Sequence, residues 1–292
     1  MRVIILGSGT CASGIPGIPD RQPPAFLVEW DEDGLTQRVL FDCSEGVRFR
    51  LEAAGVNYTD IRHVAISHTH PDHCAIFHFC QSLFCKGLFG GEKFWSPELS
   101  IYCPNTLVRN FKRMWAFHTP ETPVFPFPTI RLMRMSSRIA VPEYRGFGTK
   151  TVRMSSRMRP VRIGSAKLFA LPVYHGFGKV DALAFRLETP SGTFVYSGDT
   201  GECAGIRGIA QHADIFVCEA SALIGDEKNP HEYGHLNPRL AGEIARETGV
   251  KKLVFFHYTG INSDEEIIAD CRRGGYTGPV VVGKDRQLVD AG

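Results

Sequence analysis

The sequence predicts a mixed α/β fold with two β-sheets and helices packed outside them. Short apolar runs recur along the chain, helices are fewer but clearly marked, and the two kinds of segment are intermixed. The 292 residues are 43% hydrophobic and 22% charged. This composition is typical of a globular protein and excludes a disordered or collagen-like chain.

The strands are predicted from apolar runs of three to six residues that end in polar or glycine residues. Their β-branched and aromatic content is typical of buried strands. The runs are Val3–Leu6, Phe26–Val28, Val39–Phe41, Val64–Ile66, Leu168–Val173, Phe194–Tyr196, Ile215–Val217, Leu253–Phe256 and Val280–Val282.

The helices are predicted from their end signals. One begins at Asn237, which is followed by a proline in the first turn, and ends at Gly249. A second has a capping-box pattern, Ser263–Glu266, and stops at Gly274. Two more are expected over about Glu45–Ala54 and about Asp72–Cys85.

We treat residues 1–292 as one domain with an Arg/Pro-rich insertion at about 119–160. The net charge is only +2, yet residues 129–167 hold ten Lys/Arg and one acid, Glu143. A basic segment on an acidic body suits an anionic ligand, although a solvated strand face would have the same composition. The insertion repeats Arg-Met-Ser-Ser-Arg at 134–138 and 153–157, which suggests two antiparallel edge strands.

The cysteines and the N-terminal residues bear on location. None of the nine cysteines forms a C-x-x-C motif, and the first apolar run is too short for a signal peptide. No stretch approaches the ~20 apolar residues of a membrane span. We therefore expect a cytoplasmic protein with reduced thiols, no cysteine zinc cluster and no membrane partner.

The strongest chemical signal is a group of three histidines and one aspartate directly after a predicted strand. His68 and His70 are two residues apart, so in an extended chain they face the same side. Pro71 suits the first turn of a helix, which would present Asp72 and His73 as a second pair. Imidazole nitrogen and carboxylate oxygen are the donors that a zinc-type ion prefers. The pattern therefore predicts a metal site.

Four donors on one loop can hold one ion and begin a second shell, so other donors are needed. His175, Asp199 and His257 each follow a predicted strand. Parallel strands bring such ends to one rim, where open α/β sheets place their sites. Asp42 also follows a strand, and the expected role of its carboxylate is to hold a histidine tautomer.

With this set, the chain resembles the metallo-β-lactamase superfamily, whose signature is H-x-H-x-D-H followed by a distant His, an Asp and a last His. The resemblance implies a four-layer αββα sandwich with two divalent metal ions per chain, zinc by preference and manganese or iron as alternatives. It implies one ion on His68, His70 and His175, a second on Asp72, His73 and His257, and Asp199 as the bridge.

Two further residues resemble the ribonuclease Z and phosphodiesterase branch of that superfamily. In that branch a glutamate and a histidine pair at the positions of Glu219 and His235, and the histidine can donate a proton to the leaving oxygen. The alternative for His235 is a helix N-cap. One departure concerns the tRNA-gripping arm of ribonuclease Z, because only 23 residues (176–198) separate His175 from Asp199. That departure favours a smaller phosphodiester or a nucleic acid held differently.

The predicted function is dinuclear metal-dependent hydrolysis of a nucleotide or nucleic-acid phosphodiester. Asp72 would orient the nucleophile, and His235, held by Glu219, would protonate the departing alkoxide. Two alternatives are a lactone, thioester or other acyl hydrolase on the same metal site, and a nucleic-acid-binding module with a structural metal. The expected partners are an anionic phosphodiester, either a nucleotide or RNA, and a second copy of the chain in a homodimer.

Overall fold

The computed structural model of this chain describes residues 1–11, 16, 18, 20–89, 99–118, 130–136 and 160–291. The strands are β1 (Arg2–Gly7), β2 (Ala25–Glu32), β3 (Leu35–Phe41), β4 (His63–Ala65), β5 (Leu99–Pro104), β6 (Ile130–Ser136), β7 (Val161–Ile163), β8 (Ala166–Val173), β9 (Ala182–Thr189), β10 (Gly192–Tyr196), β11 (Ile215–Glu219), β12 (Lys252–Phe256), β13 (Val280–Val282) and β14 (Leu288–Asp290). The helices are α1 (Val47–Ala53), α2 (Ile76–Phe89), α3 (Asn105–His118), α4 (Ala204–Ile209), α5 (Pro238–Glu247) and α6 (Asp264–Arg273), with a short 3-10 turn at Tyr58–Asp60.

The described strands form two seven-stranded sheets. The first has the order β14-β1-β2-β3-β4-β5-β6 and the second the order β13-β12-β11-β10-β9-β8-β7. Side chains of α1, α2 and α3 pack on the outer face of the first sheet, and those of α4, α5 and α6 pack on the outer face of the second. This arrangement confirms the predicted αββα sandwich.

Aromatic side chains from both sheets meet in the space between them. Phe26 of the first sheet has its ring centroid 5.0 Å from that of Phe256 in the second. Phe41 and Phe194 approach to 4.8 Å across the same space. Along β2, Phe26 and Val28 point into this inner core while the alternate side chains pack under the helices. Both faces of the strand are therefore buried, which explains its continuous apolar run.

The predicted helix ends agree with the structure at α5 and α6. The Asn237 side chain accepts from the Leu240 N–H, and the capping box of Ser263 and Glu266 is present in both directions. The prediction of a helix from Asp72 was wrong, because α2 begins at Ile76. Residues 70–73 form a tight turn in which the His70 carbonyl accepts from the N–H groups of residues 73 and 74.

Several elements were not predicted, namely β5, β7, β9, β14, α3 and α4. Within the insertion at about 119–160, β6 contains the first three residues of the first pentapeptide copy (134–136) and pairs parallel with β5 at the edge of the first sheet. The antiparallel pairing of the two copies stays a prediction. The second copy, at 153–157, lies outside the described residues.

In the described part of the chain, no helix combines the length and the apolar character that crossing a bilayer requires. The nine cysteines are free thiols, in agreement with the prediction. The cytoplasmic location and the homodimer stay predictions.

Candidate metal centre and active site

The candidate site lies at one rim of the sandwich, where several strands end. In the second sheet β10, β11 and β12 run parallel, and β8 has the same direction because β8 and β10 are both antiparallel to β9. His175, Asp199 and His257 follow the carboxyl ends of β8, β10 and β12. The loop after β4 brings the histidine cluster to the same place from the first sheet.

The structure brings the seven predicted ligands together. The donor atoms of each group below lie within 4.8 Å of one another. The groups are His68, His70, His175 and Asp199; Asp72, His73 and His257; and Asp199, His235 and His257. Asp199 is shared by two groups and is fully buried.

The carboxylate of Asp199 lies at the centre of the cluster. Its Oδ1 is 3.3 Å from His73 Nε2, and its Oδ2 is 3.4 Å from His257 Nε2. The same Oδ2 lies 3.9 Å from the Nε2 atoms of both His68 and His175. One carboxylate therefore faces ligands of both predicted ions.

The donor atoms fit a divalent metal. His68 Nε2, His73 Nε2 and Asp199 Oδ1 are buried and have no hydrogen-bond partner among the described residues. Burying polar atoms without partners is costly, so a native site of this kind needs another group to satisfy them. Ring nitrogens and a carboxylate oxygen converging on one point are what zinc-type ions bind.

The opposite ring nitrogens of the histidines are held by the protein. Asp42 accepts from His73 Nδ1 at 2.6 Å, and the Gly234 carbonyl accepts from His175 Nδ1 at 3.0 Å. Ser67 Oγ lies 3.0 Å from His68 Nδ1. Such contacts fix the tautomer and leave Nε2 free to face a metal.

The electrostatics favour the metal-binding protonation state at His68, His175 and Asp72. Burial lowers the pKa of His68 well below its ordinary value and that of His175 to about 4, so both rings are neutral at pH 7. Burial alone would raise the pKa of Asp72, but its hydrogen bond with His257 and the charge of His73 hold it at about 2. Neutral imidazole and ionised carboxylate are the forms that bind a metal. At His73 burial would lower the pKa, but the carboxylates of Asp199 and Asp42 raise it well above its ordinary value, so this ring must give up a proton when a metal binds.

Beside these groups, the buried Glu219 and the partly exposed His235 form an acid–histidine pair. Both carboxylate oxygens face His235 Nδ1, at 3.0 and 3.1 Å. The His235 ring lies edge-on to His175, with 4.8 Å between ring centroids. Burial would lower the pKa of His235, but Glu219 raises it to about 9, so the ring carries a proton at neutral pH.

The alternative interpretation of His235 as a helix N-cap was wrong. Asn237 occupies that position of α5 and its side chain accepts from the Leu240 N–H. His235 lies two residues earlier, with its ring directed at the glutamate and at the metal-ligand cluster.

Three contributors to the site were missed by sequence reasoning. Ser221 Oγ contacts His257 Nδ1 and donates to the His257 carbonyl. The Tyr196 hydroxyl donates to Asp42 at 2.6 Å, and the Thr200 N–H donates to Glu219 at 2.6 Å. Ser221 could have been found from sequence, since it lies two residues after the predicted Glu219. The contacts of Tyr196 with Asp42 and of Thr200 with Glu219 join distant segments and have no local sequence signal.

Comparison with known proteins agrees with this geometry. The model of the family described as "Beta-lactamase superfamily domain" matches residues 37–258. The chain is 28% identical over 306 residues to Ribonuclease Z of Streptomyces coelicolor, covering 97% of this chain and 95% of that protein. It is 29% identical over 293 residues to Ribonuclease Z of Salinibacter ruber, covering 88% and 85%.

Solved structures share the fold at lower identity. The metallo-beta-lactamase fold protein YhfI from Bacillus subtilis matches with a TM-score of 0.73 and 20% identity, covering 99% of this chain and 98% of that one. Human tRNase Z, short form, matches with a TM-score of 0.71 and 18% identity over the full length of both chains.

Proposed function

The chain belongs to the family of beta-lactamase superfamily domains, and from that premise we propose that it is a metal-dependent hydrolase of phosphodiester bonds in RNA or a nucleotide. Two lines support the proposal: relatives named Ribonuclease Z that align over most of both chains, and the chemistry of the rim. The rim combines a cluster of metal-ligating residues with a protonated histidine.

The observation that carries the proposal is the pairing of His235 with Glu219 beside the metal-ligand cluster. Cleaving a phosphodiester expels an alkoxide, which is a poor leaving group unless it receives a proton. A histidine with a pKa of about 9 holds that proton at neutral pH. The His235 side chain keeps 22% of its surface exposed, so a substrate can reach it.

Seven ligands are assigned to two divalent ions, zinc by preference. His68, His70 and His175 would hold one ion, Asp72, His73 and His257 the other, with Asp199 between them. Bound there, such ions lower the pKa of a coordinated water and offset charge on the phosphate oxygens.

The protein's own groups then have separate tasks. The Asp72 carboxylate lies at the rim and accepts a hydrogen bond from the attacking water, which orients it toward phosphorus. His235 donates its proton to the departing oxygen on the other side. Glu219 holds the His235 ring through Nδ1, which leaves Nε2–H for the substrate.

The substrate is proposed to be a small phosphodiester, or RNA gripped without an arm between His175 and Asp199. The residues between them form a short loop (176–181), β9, a hairpin turn and β10, and β10 pairs with β9 along its whole length. The arginines at 153, 157 and 159 lie outside the described residues, and their contact with an anionic substrate stays a prediction.

A substrate panel tests the proposal. The zinc- or manganese-loaded enzyme is assayed with bis-p-nitrophenyl phosphate, cyclic nucleotides, a short RNA and lactones. We expect turnover of phosphodiesters, loss of activity with a chelator and recovery on adding metal. Asp199→Ala should abolish turnover, whereas Asp214→Asn, at the opposite end of the sheet, should not affect it.

Two outcomes would contradict the proposal. Turnover of lactones without turnover of any phosphodiester would assign the same site to an acyl hydrolase. Stoichiometric metal together with RNA binding, but no turnover of any substrate, would indicate a binding module with a structural metal.

A further inference from the structure

Two aromatic side chains, Phe177 and Tyr233, contact each other and are exposed to solvent beside the candidate site. Their ring centroids are 4.7 Å apart at an interplanar angle of 67°. Phe177 is 56% exposed and Tyr233 is 49% exposed. Most large apolar side chains in the described part of the chain are buried, so an exposed aromatic pair calls for an explanation.

The pair is attached to the site through two loop segments. Phe177 lies two residues after His175, and Tyr233 lies two residues before His235. The Phe177 N–H donates to the Tyr233 carbonyl at 3.3 Å. His175 Nδ1 and the Gly234 carbonyl join the same segments at 3.0 Å. The aromatic rings are therefore fixed relative to the imidazole that is proposed to serve the leaving group.

The backbone at Phe177 is held in an uncommon conformation. Its φ is +57°, and the flanking Gly176 and Gly178 have φ of +56° and +68°. A bulky residue in this left-handed region is an outlier and costs free energy. A Cβ on Gly176 would lie 2.3 Å from a methyl of Val180, so glycine is required there. The backbone of this loop is strained, and the Phe177 side chain is exposed to solvent. Both observations favour a functional role for Phe177 over a stabilising one.

We propose that Phe177 and Tyr233 form a stacking surface for a nucleobase next to the scissile phosphate. This inference rests on the proposed phosphodiesterase function and names the part of the substrate that gives affinity. Bases of any sequence have a flat π-face, and aromatic side chains near positive charge are the usual way of binding them. Lys179, exposed and two residues beyond Phe177, supplies a cation near the same loop.

The size of the surface favours a base over a second protein. Two half-exposed rings offer on the order of 200 Å². A stable protein interface buries about 800 Å² on each partner. A flat ligand of the size of a nucleobase matches the smaller figure.

Matched dinucleotides test the inference. The substrates are an intact ribodinucleotide and two analogues in which one or the other nucleoside is replaced by abasic ribose. Phe177→Ala and Tyr233→Ala should each raise KM for the intact dinucleotide about 5- to 150-fold, from ~1–3 kcal/mol per stacked base, with kcat nearly unchanged. For one abasic analogue, the variants and the parent protein should have the same KM.

Two control variants accompany the test. Phe177→Tyr keeps a ring and should retain the KM of the parent protein. Phe49→Ala removes an aromatic side chain that is 61% exposed on α1, outside the two loops, and should change no kinetic constant. Thermal unfolding should be the same for all of these surface variants.

Unchanged KM in Phe177→Ala and Tyr233→Ala, with normal turnover by the parent protein, would refute the stacking surface and leave the phosphodiesterase function intact. An equal rise in KM for the intact and both abasic substrates would also refute it, because that pattern reports a distorted loop. Absence of turnover of every dinucleotide by the metal-loaded parent protein would refute the phosphodiesterase function itself, and the stacking surface with it.

Discussion

Replacing Asp42 by asparagine should weaken metal binding although Asp42 is not itself a proposed ligand. Asp42 is fully buried and accepts four hydrogen bonds. Oδ1 accepts from the Ser67 N–H at 2.7 Å, and Oδ2 accepts from Ser67 Oγ, His73 Nδ1 and the Tyr196 hydroxyl at 2.7, 2.6 and 2.6 Å. Asparagine has the same shape and tolerates the left-handed φ of +55° at this position, so the backbone should stay in place.

The expected loss of metal affinity follows from the hydrogen-bond donors that face the side chain of residue 42. If the amide oxygen of asparagine faces the Ser67 N–H, its NH₂ group faces His73 Nδ1. That nitrogen must then accept, and the ring proton moves to Nε2, the atom 3.3 Å from Asp199 Oδ1. A protonated Nε2 cannot bind a metal. Loss of such a supporting partner typically lowers metal affinity about 10- to 100-fold.

The assay is a zinc titration against a chelator of known affinity, with metal per chain measured independently. The more weakly bound of the two zinc ions should bind Asp42→Asn about 10- to 100-fold more weakly than it binds the parent protein. The variant should also lose about 1.5–3 kcal/mol of unfolding free energy from the charged hydrogen bond to His73. Asp214→Asn, which removes a carboxylate at the far end of the second sheet, is the matched control for zinc affinity. Zinc affinity equal to that of the parent protein would refute the tautomer argument.

Two further predictions concern the ligand set and an acidic surface contact. Asp199→Ala should lower occupancy of both ions, whereas His175→Ala should mainly lower one, as counted by elemental analysis of the purified variants; equal losses would contradict a bridging role. Asp214→Asn should lower the free energy of unfolding at pH 7 by about 1 kcal/mol, because Asp214 accepts from the Thr193 N–H and pairs with Lys251. Partial burial would raise the pKa of Asp214, but Lys251 and Thr193 hold it below its usual value. The stabilisation is therefore present above about pH 4 and lost as the pH falls through the lowered pKa, so urea unfolding should show the two proteins converging in acid; a constant difference would contradict it.

The parts of the fold that could be predicted from sequence are those with local signals. The capping box at Ser263 and the helix start at Asn237-Pro238 involve contacts between residues three positions apart. The local sequence pattern is therefore enough to predict them. The histidine cluster at 68–73 is equally local. Its distant partners were found because each follows a strand that ends at the same rim.

The parts that were missed depend on contacts between distant segments. Strand β9 alternates charged residues, such as Arg186 and Glu188, with buried ones, and only its pairing with β8 and β10 makes it a central strand. Tyr196 was identified only as a strand residue, since its hydroxyl reaches Asp42 across 154 positions of sequence. Helix α2 starts late because backbone hydrogen bonds of Cys43 with residues 73 and 75 hold the preceding turn against the first sheet.

The proposed role of His235, held by Glu219, is to protonate the leaving oxygen of a phosphodiester. The most direct measurement compares kcat of His235→Ala on two phosphodiesters that differ only in the leaving group, one an alkoxide and one p-nitrophenolate, with metal content measured alongside. We predict a loss of about 10²- to 10⁴-fold for the alkoxide substrate, a much smaller loss for p-nitrophenolate, and unchanged metal content. Equal losses on both substrates would contradict proton donation by His235 and leave it as a structural residue.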